Sequence, residues 1–156
     1  MWYTEYGKVV IFLQLNMDCV RSILFCVEAN TGLRKSCFFI DAGLSDAMEF
    51  LGDTVDLPAY QAKLLNDFNN DELIYHVHYC IDAELVVAAD SSTQYQTIIA
   101  DLTPKGHEFL SNSRNNENWQ KAKDIGGKVG AFGLNMASKI AEGVVTALVN
   151  QQLKLL

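Results

Sequence analysis

The sequence predicts an α+β fold, because segments with helical spacing of apolar residues alternate with short segments that are typical of strands. Residues 17–32 have apolar positions at helical spacing, where Asn16 can cap the start and Gly32 ends the helix. The segment SCFFI at 36–40 is short, aromatic and bounded by turn residues, which favours a strand. Pro58 suits the first position of a short second helix. The chain therefore begins as helix, strand and helix.

A third helix and a β-hairpin follow, and the helix starts at a cap supplied by Asn69 or Asn70. Its predicted inward stripe consists of Ile74, Val77, His78, Ile81 and Leu85. Its predicted outward face consists of Glu72, Tyr75, His76, Tyr79 and Asp82. After Glu84 the spacing changes to that of a strand, so LVVAAD, a four-residue turn SSTQ and YQTIIADL predict a hairpin.

The rest of the chain predicts two more helices. Thr103 is a suitable N-cap and Pro104 a suitable first residue for a helix that ends near Ile125. The last helix, expected over about 131–154, carries an apolar stripe that needs a partner surface, either the core or a second copy of the chain. The stripe residues assigned to a homodimer are Leu134, Ile140, Val144, Val145 and Leu148. The expected division is an N-terminal extension (1–14), a folded domain (15–125), a glycine-rich joint (126–133) and a C-terminal amphipathic helix (134–156).

Charge is distributed unevenly along the chain, whose formal net charge is −7. Residues 41–90 contain eleven Asp or Glu residues and one Lys, a net charge of −10. Residues 103–139 contain six basic and three acidic residues, a net charge of +3. Because a nucleic-acid duplex repels an acidic surface, nucleic acid is a possible but disfavoured partner of the first of these stretches.

No catalytic motif is recognised, so we expect the protein not to be an enzyme. The adjacent residues His107 and Glu108 fall in the first turn of a predicted helix, where packing and the helix dipole explain them better than chemistry. A zinc site built from His76, Cys80 and His107 lacks a fourth ligand, and we expect no metal and no cofactor.

The cysteines and the hydropathy pattern favour a reducing, cytoplasmic location. The four cysteines, Cys19, Cys26, Cys37 and Cys80, show no C-x-x-C spacing and lie among apolar neighbours, as buried free thiols do. No apolar run reaches the about 18 residues that a membrane-spanning helix needs, and no signal peptide is recognised. A membrane is therefore not an expected partner.

Helix, strand, two helices and a hairpin are the element order of a winged helix-turn-helix domain with a two-stranded wing, here with extra C-terminal helices. LTPKGHEFL at 102–110 is similar to the Leu-Thr-x-x-Gly turn that follows the wing in many such domains. Together with MDCVRSILFCVE, YHVHYCIDAELV and NWQKAK, it resembles domain-of-unknown-function family 2513, over roughly residues 15–145. The resemblance implies a winged-helix core and a phage or prophage origin, and it implies no activity.

Two functions are favoured after these observations, and a third, a metal hydrolase that uses His76, Cys80 and His107, is disfavoured by the missing fourth ligand. The first is a non-catalytic accessory protein that binds a protein partner, such as a host defence or nucleic-acid-handling factor, through the predicted outward face of the third helix. The second is a DNA-binding transcriptional regulator that dimerises through its C-terminal helix. Its phosphate contacts would come from Lys105, Arg114, Lys121, Lys123 and Lys128. The first is favoured, because the predicted outward face carries no Lys or Arg.

Overall fold

The computed structural model describes residues 13–44, 49, 52, 56–130 and 132–156. Residues 1–12 of the predicted extension lie outside the described residues, as do residues 45–48, 50, 51, 53–55 and 131. The described part is mixed α+β, as predicted. The chain divides into two compact units, one that ends at Thr103 and one that covers Pro104–Leu156. The boundary between the units therefore lies before the helix that follows the hairpin, whereas the predicted domain extends to residue 125.

Among its described residues, the first unit contains three helices and three strands with defined bounds, and residues 42–44 and 49 are also helical. Its elements are α1 (Met17–Asn30), β1 (Cys37–Ile40), α2 (Ala59–Leu64), α3 (Asn70–Asp82), β2 (Val86–Ala88) and β3 (Gln96–Leu102). The predicted cap of α1 is confirmed, since the side chain of Asn16 accepts hydrogen bonds from the backbone N–H groups of Asp18 and Cys19. Thr31 rather than Gly32 is the C-cap of α1, and Pro58 is the N-cap of α2 rather than its first helical residue.

The strands form a three-stranded antiparallel sheet in the order β1-β3-β2. The predicted hairpin of β2 and β3 is confirmed, but β1 pairs with β3 as well, so the sheet has one strand more than the predicted wing. The hairpin connection covers residues 89–95 rather than four residues. The pairing register shifts between Val87 and Ala88, and the backbone N–H of Ala89 still donates to the carbonyl oxygen of Ile98. Within the connection, Thr93 donates its backbone N–H to the carbonyl oxygen of Gln96.

The edge of β1 that does not pair with β3 is closed by side chains of α2. The Tyr60 hydroxyl accepts the Phe38 N–H at 2.8 Å and donates to the Phe38 carbonyl at 2.7 Å. The amide of Gln61, a fully buried side chain, bonds both the N–H and the carbonyl of Ile40. Two side chains thus take the place of a neighbouring strand, which satisfies backbone groups that a buried sheet edge would otherwise leave without partners.

The core of the first unit lies where α1 packs against α3 and against β3. Ile23 and Leu24 of α1, Val77 of α3 and Ile99 of β3 are almost completely buried. Burial of such a side chain contributes about 1.5–3 kcal/mol relative to full exposure. Packing of α1 against α3 and β3 therefore contributes to the stability of this unit.

The second unit is made of three helices, α4 (Pro104–Ser113), α5 (Asn116–Val129) and α6 (Leu134–Lys154). The single helix predicted from 103 to 125 is wrong, because Asn115 caps a new helix by accepting the backbone N–H of Asn118. Phe109 and Leu110 of α4 are buried. The Trp119 ring contacts the rings of Phe109 and Phe132 at centroid distances of 5.8 and 5.3 Å.

The predicted glycine joint at 126–133 is also corrected, since α5 continues to Val129. Gly126 is buried in this helix, and a Cβ atom at its position would overlap the ring of Phe132. The lack of a side chain at position 126 therefore lets the Phe132 ring pack closely against α5, and it does not introduce a flexible joint. Gly130 supplies the left-handed C-cap with φ +70°, and α6 begins at Leu134 rather than at 131.

The substitution Gln61→Leu tests whether side chains of α2 satisfy the backbone groups at the edge of β1. The substitution keeps the approximate size of the side chain but leaves the N–H and carbonyl of Ile40 buried without partners, so we expect a loss of about 3 kcal/mol in the free energy of unfolding. Lys63→Leu, at an exposed position of the same helix, is the control and should change it by less than about 0.5 kcal/mol. Urea titration followed by circular dichroism measures both. Equal midpoints for Gln61→Leu and the parent protein would contradict the assignment.

Candidate protein-binding surface

The orientation of α3 depends on His76, whose imidazole is fully buried. The ring Nε2 accepts the backbone N–H of Asn16 at 2.8 Å, and Nδ1 lies 2.7 Å from the carbonyl oxygen of Glu72. A carbonyl oxygen only accepts hydrogen bonds, so Nδ1 carries the proton and Nε2 carries the lone pair. The Asn16 side-chain amide donates to the Glu72 carboxylate at 2.9 Å, which completes the link between α3 and the start of α1.

His76 therefore does not lie on the outward face of α3, where the sequence analysis placed it. The buried residues of α3 are Leu73, His76, Val77 and Cys80. The predicted inward residue His78 is exposed, and Ile74 and Ile81 are half-buried. The predicted buried face of α3 is rotated by one residue from the observed one. The prediction treats His76 as a polar surface residue and the two isoleucines as core residues.

The outward face of α3 is acidic and aromatic, and it consists of Asp71, Tyr75, His78 and Asp82. These positions recur at i, i+4, i+7 and i+11, opposite the buried stripe, and we call them the acidic face. Asp71, His78 and Asp82 are exposed, whereas Tyr75 is half-buried with its ring against that of His76 at a centroid distance of 5.1 Å. The sequence pattern predicts Tyr75 and Asp82 on this face, whereas Asp71 and His78 are not among the predicted residues.

Glu72 and Tyr79, also predicted to face outward, lie half-buried on the side of α3 that carries His76. The centroid of the Tyr79 ring is 6.5 Å from that of the His76 ring. Burial, and then the neighbouring Cys80 and Tyr75, raise the pKa of the Tyr79 hydroxyl above its ordinary value. These two residues belong to the surroundings of His76 more than to the exposed surface.

The acidic face has no nearby cation along the chain. No Lys or Arg occurs between Asn70 and Tyr95, which covers α3, β2 and the hairpin connection. Glu84 and Asp90, which flank β2, are exposed and add to the negative charge of these elements. A cationic ligand is therefore favoured over an anionic one.

The family model described as Hypothetical protein (DUF2513) matches residues 14–132 of the chain. The chain belongs to this family. A search of curated proteins and a search of solved structures found no match. Membership in the DUF2513 family agrees with the resemblance noted in the sequence, and the family description assigns no activity.

The zinc site considered for this DUF2513 protein conflicts with the geometry of His76. Both ring nitrogens of His76 are occupied by backbone groups, so neither can bind a metal ion without breaking a hydrogen bond. In the part of the chain that the structure describes, no group of three or more His, Cys, Asp or Glu residues could hold a metal ion. His107 and Glu108 are exposed on α4 of the second unit, close to its start as predicted.

All four cysteines are free and buried, as predicted. Burial raises the pKa of the Cys26 thiol to about 11 and that of Cys80 to about 12. The pKa of Cys37 is raised to about 12, mainly by burial, and that of Cys19 is raised further for the same reason. Because the thiolate is the reactive form, the raised pKa values and the burial both lower the reactivity that we expect of these thiols at neutral pH.

The basic residues considered for phosphate contacts all belong to the second unit. Lys105 lies on α4, Lys121, Lys123 and Lys128 lie on α5, and Arg114 precedes the start of α5. Lys123 is half-buried and the other four are exposed. Lys121 and Lys128 line a groove together with the apolar residues Ile125, Val144 and Leu148. The cations thus form part of a mixed surface rather than a uniform basic stripe.

The five residues predicted for dimerisation, Leu134, Ile140, Val144, Val145 and Leu148, are all half-buried on α6. Within α6 only Ala137 and Ala141 are buried. More exposed apolar side chains lie beyond the predicted set, at Val149 and Leu153. No helix in the described ranges is long and apolar enough to cross a membrane.

The role of His76 predicts a difference between two neighbouring histidines. His76→Phe leaves the N–H of Asn16 without its acceptor, so we expect the free energy of unfolding to fall by about 2 kcal/mol. His78→Phe, the control on the exposed side of the same helix, should change it by less than about 0.5 kcal/mol. Denaturant titrations of the two variants measure the difference. A larger loss for His78→Phe would show that α3 is rotated as the sequence had predicted.

The burial of the cysteines predicts slow thiol chemistry. In the folded protein at pH 8, we expect none of the four thiols to react with Ellman's reagent during the mixing time, because raised pKa values and burial both suppress attack. In denaturant all four should react at once. Rapid reaction of one thiol in the folded protein would contradict the packing of the residue concerned, which mass mapping would identify.

Proposed function

We propose that the first unit is a winged helix-turn-helix domain. Support comes from the order α1-β1-α2-α3-β2-β3 and from the sheet order β1-β3-β2, which places β1 beside the hairpin. In this interpretation α2 and α3 form the helix-turn-helix, and the 89–95 connection is the tip of the wing. The helix that would enter the major groove is α3.

The protein then acts by binding a macromolecule and not by catalysis, and the partner is a protein with a basic surface. The observation that carries this proposal is the acidic face of α3. In a DNA-binding helix-turn-helix this surface would offer Arg, Lys, Asn or Gln to base edges and cations to phosphates. Here it offers two aspartates, one tyrosine and one histidine. Each acid adds repulsion toward a duplex, where a cation would add counterion release.

A basic protein partner fits the same face on two grounds. The aspartates at each end, Asp71 and Asp82, attract basic side chains and raise the association rate. Between them, Tyr75 offers an aromatic surface whose ring is held in place by contact with the His76 imidazole. Aromatic residues are enriched at the centre of surfaces where proteins bind one another, and polar residues surround them at the rim.

The biological setting of the proposal comes from the family resemblance. A phage or prophage accessory protein would meet bacterial defence and nucleic-acid-handling factors in the host cytoplasm. Such factors bind nucleic acid through basic surfaces, and an acidic protein competes for the same surfaces. We assign the partner to this class, and we assign the protein itself to the cytoplasm as a homodimer.

The second candidate is a DNA-binding regulator, dimeric through its C-terminal helix. It is favoured by the exposed cations of the second unit, Lys105, Arg114, Lys121 and Lys128. These residues could contact phosphates, but phosphate contacts do not distinguish one DNA sequence from another. It ranks second because the proposed recognition helix carries no cation.

Charge reversal of the acidic face tests the first candidate. We expect Asp71→Lys/Asp82→Lys to abolish retention of basic host proteins that the immobilised parent protein captures from a lysate, because the variant repels them. Glu108→Lys/Glu117→Lys is the matched control, with the same change in net charge on exposed positions of the second unit. Asp71 and Glu117 both lie in the first turn of a helix, so the loss of favourable dipole interaction is similar. Mass spectrometry identifies the retained proteins.

Two results would contradict the proposal. One is retention of the same proteins by both charge-reversed variants. The other is a sequence-dependent mobility shift of a DNA duplex by the parent protein that weakens steeply with added salt and is lost when Lys121 and Lys128 become Gln. The second result would favour the regulator.

A further inference from the structure

We propose that the groove between α5 and α6 in the second unit binds an acidic amphipathic helix of a partner protein. Lys121 and Lys128 of α5 supply the positive charge of the groove, and Ile125 of α5 with Val144 and Leu148 of α6 supply its apolar lining. The acidic face of α3 selects a basic partner, whereas this groove selects an acidic one. The inference therefore goes beyond the proposed function and does not rest on it.

The charge beside the apolar lining is positive. Lys121 and Lys128 are exposed, and neither has an ion-pair partner among the residues that the structure describes. Asp124 also borders the groove, but its carboxylate accepts a hydrogen bond from the side-chain amide of Gln120 at 3.0 Å. At about 100° per residue, Asp124 lies on the side of the two lysines that is away from Ile125. Carboxylates of a partner that covers the apolar lining would therefore meet the lysines.

The shape of the groove favours a helix over a small molecule. Its volume is about 420 Å³, but it is open to solvent, and the Ile125 side chain is 43% exposed. Sites for small molecules bury roughly 70–90% of the ligand surface, which an open groove does not achieve. An amphipathic helix covers such a groove with its residues at i, i+3, i+4 and i+7.

The apolar lining favours a protein over a nucleic acid. A phosphate backbone would bring polar oxygens against Ile125, Val144 and Leu148, whose side chains offer no hydrogen bond. Apolar side chains of a helix would instead remove both apolar surfaces from water. The lysines alone would suit either partner, so the lining between α5 and α6 decides the choice.

The spacing of the lysines specifies the sequence pattern of the partner. Lys121 and Lys128 are seven residues apart within α5, which is about 10.5 Å at 1.5 Å per residue. A helix aligned with α5 presents its residues i and i+7 on one side at the same spacing. Ile125 lies between the lysines along α5. The pattern that fits is an acidic residue at i, apolar residues at i+3 and i+4, and an acidic residue at i+7.

Fluorescence anisotropy with the full chain tests the proposal. The ligand is a labelled alanine-rich peptide of about 18 residues, with Glu at i and i+7 and Leu at i+3 and i+4. We expect saturable binding that weakens as salt is added. Lys121→Gln/Lys128→Gln should raise the dissociation constant at least about five-fold, because two ion pairs are lost. Lys139→Gln/Lys154→Gln, with the same change in net charge at exposed positions outside the groove, should change it less than about two-fold.

Two altered peptides separate the contributions of charge and apolar contact. Replacing both Glu residues with Gln should weaken binding as much as the lysine substitutions do, and replacing both Leu residues with Ser should abolish it. Absence of binding at millimolar peptide, or equal binding by the two lysine variants, would overturn the proposal. A DNA duplex that binds more tightly than the peptide and is released by Lys121→Gln/Lys128→Gln would overturn the choice of a protein partner.

The homodimer of the proposed function would use part of the same lining, since Val144 and Leu148 are among the residues assigned to it. A second copy and an acidic helix would then compete for the groove. Sedimentation velocity with and without the peptide separates the two ideas. A monomer that binds the peptide would support the groove and contradict only the homodimer, and retention of basic proteins by the acidic face is independent of both.

Discussion

The hydrogen bond from the Asn16 backbone to Nε2 of His76 fixes the rotation of α3, and the surface that the protein presents depends on that rotation. A buried imidazole is stable only when both nitrogens have partners, and here the start of α1 supplies one while the helix backbone of α3 supplies the other. Turning α3 by one residue would move His76 away from Asn16. The aspartates, Tyr75 and His78 are outward because His76 is inward.

Much of the first unit could be predicted from local signals. Asn16 and Asn69 cap helices, the short aromatic segment at 37–40 forms a strand, and the change to alternating residues after Glu84 marks the hairpin. The buried face of α3 is not predicted correctly, because the hydrogen-bond partner of His76 is Asn16, 60 positions away. No local sequence pattern reveals that contact. One signal was available, since Leu73, Val77 and Cys80 are spaced for burial and cysteine is among the most buried residue types.

In the second unit the errors have a different cause, because tertiary packing overrides the ordinary meaning of a residue type. Glycines at 126 and 127 indicate a break, yet the helix continues since Gly126 lies against the Phe132 ring. Asn115 looks like one polar residue among several but begins a new helix. The apolar stripe of α6 was predicted, while its most exposed residues lie nearer the end of the helix than the spacing alone suggested.

The orientation of α3 depends on the protonation and burial of the His76 ring. A long-range ¹H–¹⁵N correlation spectrum of protein labelled at its three histidines measures both directly. We expect His76 to show a protonated Nδ1 and an unprotonated Nε2 that accepts a hydrogen bond, with slow exchange of the Nδ1 proton. His78 and His107, which are exposed, should exchange rapidly with water. A spectrum in which His78 is the protected ring and His76 exchanges freely would contradict the orientation of α3 and, with it, the acidic face.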